Sequence, residues 1–198
     1  MVHKVICVNH GTKYPPIYVE TLQAMVERNL TLPHEFICFT DCPENYDCKT
    51  IKLPDGYSSW WNKVCIFQSG LFGKDDKVLY LDLDIVITGN IDFLFEHEGF
   101  TAMKDYLHDA YNSSVMLLGY NPEIFEECTQ EVMESFVGDQ DWITHKIPYR
   151  QYFSDELVRS YRHTCSLGVP EGCRIVVFHG FPKPHEYPAN WVGKFWKL

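Results

Sequence analysis

Residues 77–95, KVLYLDLDIVITGNIDFLF, decide the fold. Val78 to Leu81 form a near-continuous apolar run, the pattern of a strand buried on both faces of a parallel sheet. Where the run ends stand two carboxylates, Asp82 and Asp84. Side chains alternate along a strand, so the two acids point to one side while Leu81, Leu83 and Ile85 point to the other. Carboxylates that close repel each other, and a hard divalent cation, which takes oxygen ligands, removes the conflict. In an arbitrary setting an Asp-x-Asp simply ends a strand in solvent. Here the apolar run places the pair at the carboxyl end of a buried strand, where ligands of parallel sheets collect.

Composition bounds what the pair can serve. The chain has 198 residues, enough for one domain over residues 1–198 with a substantial core. Hydrophobic residues make up 45% and aromatics 15%, which excludes general disorder. A net charge of -10 argues against a nucleic-acid partner, and it means that an anionic substrate needs locally placed cations. The stretch MVHKVICVNHG has too short an apolar run for a signal peptide, and no stretch is long enough for a transmembrane segment, so the reading is a soluble, cytoplasmic protein. Of the eight cysteines, Cys7, Cys38 and Cys65 lie in apolar segments, and Cys38, Cys42 and Cys48 match no usual zinc spacing. Reduced thiols are the expectation.

In chain order, Val2 to Asn9 reads as a strand that runs into the polar turn His10-Gly11-Thr12-Lys13-Tyr14. Pro15 and Pro16 start a helix through about Asn29, with Val19, Leu22, Met25 and Val26 on one face. His34 to Thr40 and Thr50 to Leu53 read as strands, giving the β-α-β-β opening of an α/β fold. Ser58 to Lys63 lead into an apolar helix through Phe72, with Lys63 in its first turns, either on the surface or aimed at an anion. Gly99 to Lys104 and Ser113 to Leu118 are further strands, the second entered through Tyr111-Asn112. Pro122 to Val137 has the clearest amphipathic period in the chain and predicts one helix, ended by Gly138. Asp139-Gln140-Asp141-Trp142 begins a short helix whose polar start is either capping or a site. Residues 146–172 show little periodicity and read as loop and short helix. The last strand, Arg174 to Phe178, delivers His179-Gly180-Phe181-Pro182-Lys183-Pro184 at its carboxyl end, which makes His179 the best available third metal ligand. Pro184, Pro188 and the aromatic tail through Trp196 are expected to cover the sheet.

As a set and in this order, these segments resemble the GT-A glycosyltransferases, most closely the retaining group that includes glycogenin and the bacterial lipopolysaccharide galactosyltransferases. The resemblance implies an α/β fold of GT-A (Rossmann-like) type, a central mixed, mostly parallel sheet flanked by helices. It implies transfer of a hexose from a nucleotide sugar, a UDP-sugar being favoured, to an acceptor hydroxyl on a glycan, lipid-linked or small molecule. It also implies that Asp82, Asp84 and His179 hold manganese (Mn2+) or magnesium (Mg2+) on the donor diphosphate. Lys183 would contact the diphosphate, with Gly180 beside it. Asn9, His10, Thr12 and Tyr14 would hold the nucleotide, and Leu83 would join the donor contacts. Asn112 and Ser113 would line the sugar, and Asp139, Gln140 and Asp141 would sit at its reacting face. Three departures from the family pattern stand out: Asn112-Ser113-Ser114 replaces Asn-Ser-Gly, Lys63 replaces an arginine, and the histidine-to-lysine spacing in HGFPKP is compressed, with His185 where a tryptophan is usual.

Three other readings have different signatures. A sugar-phosphate nucleotidyltransferase starts with a glycine-rich basic loop, whereas residues 10–14 hold one glycine. An inverting glycosyltransferase would use Asp141 or Asp139 as general base. A carbohydrate-binding relative would keep the fold without turnover.

Overall fold

Residues 2–73, 75–186 and 191–198 are described by a computed structural model; Pro188 lies outside them. Strand β1 (His3–Asn9) is followed by helix α1 (Ile17–Asn29), β2 (His34–Thr40) and β3 (Lys49–Lys52). A nine-residue 3-10 helix, Ser59–Phe67, leads to β4 (Lys77–Leu81) and the short β5 (Ile85–Ile87). Then come β6 (Thr101–Lys104), β7 (Tyr111–Leu118), helices α2 (Glu123–Glu126), α3 (Gln130–Ser135) and α4 (Asp139–Lys146), β8 (Val158–Ser160), β9 (Ile175–Val177) and α5 (Val192–Phe195).

Six strands form the main sheet in the order β3-β2-β1-β4-β7-β6. The first four are mutually parallel, β7 runs antiparallel to β4, and β6 antiparallel to β7. Alternation sorts the core into two layers. Val5 and Cys7, Phe36 and Cys38, Leu79 and Leu81, and Val115 and Leu117 face the layer that contains α1. Ile6, Ile37, Phe39, Val78, Tyr80 and Met116 face the 3-10 helix, α2 and α4. Both faces are therefore covered, which is why these strands carry apolar residues at consecutive positions.

β1 connects through α1 to β2 on one side, while β4 lies on its other side, so the strand order reverses between β1 and β4. The carboxyl ends of strands beside such a reversal leave a crevice for a ligand. Beyond it the chain changes sheets. The Asp82 N–H still donates to the Ser114 carbonyl of the main sheet at 2.8 Å, whereas the Asp84 carbonyl accepts from Phe178 N at 3.1 Å. β5 then pairs antiparallel with β9, which pairs parallel with β8, in a second, three-stranded sheet.

The expected helix Pro122–Val137 is two short helices. The carbonyl of Phe125 accepts from Cys128 N, and Thr129 starts afresh as a cap, its hydroxyl accepting from Val132 N at 3.3 Å. The helix expected through Phe72 is of 3-10 type and stops at Phe67, where Gln68 turns extended. The aperiodic region 146–172 contains β8 and a π turn at Tyr161–Cys165. Three residues are too few for periodicity to reveal, and β8 is specified by its pairing with β9. Trp191, Phe195 and Trp196 pack against the α1-side core, as expected of the tail. Among the described residues no helix is long and apolar enough to cross a membrane.

Candidate active site

The crevice beside the β1–β4 reversal is a cleft of about 460 Å³. That volume is within the roughly 300–1,000 Å³ of small-molecule sites. Asn9, His10 and Tyr14 enter it from the end of β1, Asp82, Leu83 and Asp84 from the end of β4, and Asn112 and Ser113 from the start of β7. Asp139, Gln140 and Asp141 come from the first turn of α4, His179, Gly180 and Lys183 follow β9, and Lys63 reaches in from the 3-10 helix. Of the residues expected in the site only Thr12 is absent from its lining; it is exposed, and its neighbours Lys13 and Tyr14 line the cleft instead.

Each carboxylate of the Asp-x-Asp has its own lysine. Lys63 Nζ lies 3.0 Å from Asp82 Oδ1 and 3.5 Å from Asp139 Oδ2, and donates to Ser113 Oγ at 2.9 Å. Tyr80 donates to Asp82 Oδ1 at 2.5 Å. Lys183 pairs with Asp84, which also accepts from the Tyr14 hydroxyl at 2.9 Å. The anion that Lys63 meets is thus a pair of the protein's own aspartates.

Burial raises the carboxyls' affinity for protons, and the neighbours decide the outcome. Burial pushes Asp82 up, but Lys63, Tyr80 and Ser114 outweigh it and leave Asp82 below its ordinary value. Asp84 is pushed up, first by burial and then by the Asp82 charge, against Lys183 and Tyr14. Asp139 is raised mainly by burial, against Lys63. Burial alone would lower Lys63; Asp139 and Asp82 more than offset it and hold its pKa above the usual lysine value.

The expected metal triad is only partly assembled. The His179 ring Nε2 shares a 2.5 Å hydrogen bond with the Ser160 hydroxyl on β8. Its ring stacks on His163, whose other neighbour is Tyr106. Among the described residues no three His, Cys, Asp or Glu side chains are gathered closely enough to hold an ion. The donor types nevertheless suit a hard or borderline divalent cation: two carboxylates and an imidazole that burial, His163 and Arg162 hold below its usual pKa and therefore neutral.

At the β1 end of the cleft, Asn9 donates through Nδ2 to the Tyr14 carbonyl at 3.1 Å and to the Tyr46 hydroxyl at 2.9 Å, while its buried Oδ1 has no partner among the described residues. At the other end Asp139 accepts from Ser113 Oγ at 2.8 Å, and Gln140 Nε2 donates to Asp105 at 3.3 Å. Sequence reasoning missed Tyr80, Ser114, Trp60 and Gly138, all of which line the cleft. Trp60 had a readable signal, since it stands three residues before Lys63 and residues i and i+3 share a face of a 3-10 helix.

This fold has parallels among solved structures. The glycosyltransferase GlyE of Streptococcus pneumoniae superposes with a TM-score of 0.69 at 15% identity, over 92% of this chain and 56% of its own. Galactosyltransferase LgtC, in complex with donor and acceptor sugar analogs, matches over 98% of this chain and 97% of its own, with a TM-score of 0.63 and 14% identity. The fold is the GT-A glycosyltransferase fold. By sequence, the chain is 28% identical over 156 residues to an Arabidopsis thaliana protein named as UDP-glucuronate:xylan alpha-glucuronosyltransferase 5, and 26% identical over 160 residues to number 3 of that name. The matches cover 68% and 70% of this chain, and the chain spans about 25% of the length of these relatives. No protein-family model matches. The resemblance to the GT-A glycosyltransferases drawn from the motifs therefore stands, and the sheet order and helix layers agree with it.

Proposed function

We propose that this chain transfers a hexose from a UDP-sugar to an acceptor hydroxyl, with a divalent cation, manganese or magnesium, at Asp82, Asp84 and His179. The observation that carries the reading is the pairing of two carboxylates, Asp84 buried and Asp82 partly so, with two lysines, Asp82 with Lys63 and Asp84 with Lys183, at the strand-order reversal of a GT-A sheet. Breaking a sugar–diphosphate bond leaves negative charge on the diphosphate. A bound cation supplies stabilisation of that charge. Lys183 supplies a second positive group there, and Gly180, with φ of 76°, lets the backbone turn towards it. Asn9, His10 and Tyr14 hold the nucleotide, and the unpartnered Asn9 Oδ1 is an acceptor that a base or ribose donor satisfies.

On the sugar side, Asn112, Ser113 and Lys63 bind the hexose. Asp139 is committed to Ser113 and Lys63 and so acts by position and charge. Gln140, its amide nitrogen engaged by Asp105, offers its carbonyl oxygen to the positive centre that develops at the anomeric carbon. A neutral amide supports that centre without capturing it, which favours a front-face route with retention, the leaving diphosphate accepting the acceptor's proton. Inversion is the second reading, because Asp141 lines the cleft partly exposed and a carboxylate within about 3 Å of an acceptor hydroxyl is a competent base. UDP-hexoses incubated with the protein and manganese test the assignment: metal-dependent release of UDP supports it, and its persistence in Asp84→Asn refutes the metal role. The anomeric configuration of the product, read by NMR, separates retention from inversion.

A further inference from the structure

The cleft has an aromatic wall that none of the donor-side roles uses. Trp60 is 54% exposed and lines the cleft, whereas the next residue, Trp61, is buried in the core at 7%. A lone exposed aromatic is ordinary on a protein surface. Two features set this one apart, an unusual backbone before it and a close neighbour beside it. Ser59, immediately before it, has φ of 52°, the only positive value at a non-glycine residue among the described ones. Left-handed backbone is unfavourable for an L-residue, so the surrounding structure imposes it. Across from the indole lies Gly138, where an added Cβ would come within 2.9 Å of Trp60 Nε1. The start of α4 is thus packed against the indole as closely as a glycine allows.

The ring's place fixes what it faces. Trp60 and Lys63 share one face of the 3-10 helix. Lys63 points down to the floor, to Asp82, Asp139 and Ser113, all at most 23% exposed, while Trp60 stands one turn towards the mouth. The Lys183–Asp84–Tyr14 group forms a separate cluster of the cleft. We infer that Trp60 is the platform on which the C–H face of an acceptor pyranose stacks, presenting its hydroxyl beside Asp139, Gln140 and Asp141. A flat aromatic ring with a polar N–H edge suits a pyranose, which has apolar C–H faces and hydroxyls around its rim. This inference rests on the glycosyl-transfer reading of the same cleft, and its test needs no turnover.

Methyl β-D-galactopyranoside, methyl β-D-glucopyranoside and methyl β-D-xylopyranoside are titrated into the protein with and without UDP and manganese. Binding is followed by saturation-transfer NMR and tryptophan fluorescence. The expected result is that at least one glycoside binds. Trp60→Ala raises its Kd ten-fold or more, Trp60→Phe preserves the NMR signal but removes the fluorescence change, and Gly138→Ala, which crowds the indole, weakens binding in the same direction. Equal affinity in Trp60→Ala, or no glycoside binding to the unaltered protein, overturns the inference. So does an equal fall in UDP affinity in Trp60→Ala, which would assign the ring to the donor. Trp60-dependent glycoside binding in a protein that cleaves no UDP-sugar would keep the platform and reject the transferase.

Discussion

Lys63 bridges two aspartates and a serine within a buried floor, and its ammonium also lies 5.1 Å from the Tyr80 ring centroid. Removing one member of a buried ion group leaves the others uncompensated, at about 3–5 kcal/mol. Lys63→Met should therefore lower unfolding stability by about that amount in urea titration, and a loss below ~1 kcal/mol would mean that water already screens the floor. Lys183→Ala should act on ligand more than on fold, weakening UDP binding by about 1.5–3 kcal/mol, the range of a charge-assisted hydrogen bond; calorimetry reads it directly. At this scale the sequence revealed the residues but not their partners. Asp82, Asp84 and Lys183 stand out because charged groups past apolar strands are conspicuous. That Lys63 serves Asp139, 76 positions away in the chain, depends on packing that no local pattern carries. Likewise His179 turns to Ser160, and Ser160 is on a strand too short to read.

Among the elements, strands long enough to alternate and the helix opened by Pro15-Pro16 were legible, whereas the Pro122–Val137 period hid a break. Amphipathic spacing survives an interruption of three residues when both halves pack on one face: Ile124 and Cys128 are buried in the same layer as Val132 and Met133 pack against. Elements are also stitched together by single carboxylates. Asp92, after β5, accepts from Thr31 N at 2.8 Å and from the Thr31 hydroxyl, tying its segment to the end of α1. Burial alone would raise this carboxyl, but the Thr31 and Asn90 hydrogen bonds prevail and hold it below its ordinary value. A depressed carboxylate contributes stability that is complete above its unfolded pKa of about 3.9 and is lost as the pH falls through the folded value. Asp92→Asn should thus cost about 1 kcal/mol at pH 7, after allowance for solvent screening, and the gap from the unaltered protein should close below pH 4. An equal gap at pH 3 would show that the hydrogen bonds act without the charge.

For the whole molecule, the charge of -10 and the cleft's paired acids set the conditions for binding. Lys63 is shared by Asp82 and Asp139 while Lys183 serves Asp84, so three carboxylates face two ammonium groups and the Asp82 charge still raises Asp84. A ligand that binds only the native state raises the melting temperature. UDP and manganese together should raise it more than the sum of either alone, and magnesium should do so less or equally; strictly additive shifts would indicate two unrelated sites. The order of segments along the chain revealed the GT-A architecture, because most motifs fall at strand ends and strand ends converge, while Lys63 and Asp139 to Asp141 reach the same cleft from helices. Of the second sheet only β9 was legible, as the apolar run Arg174 to Phe178; the three-residue β5 and β8 are defined by their pairing with it.

That second sheet gives the Asp-x-Asp a double suspension. Asp82 hangs by its N–H from the main sheet and Asp84 by its carbonyl from Phe178, the residue just past β9. The gap between the two carboxylates is thus the separation of two anchorages, adjustable from either side. A substitution beneath β9, tens of residues away in sequence and out of reach of any ligand, can retune the spacing of the pair while the main sheet stays as it is.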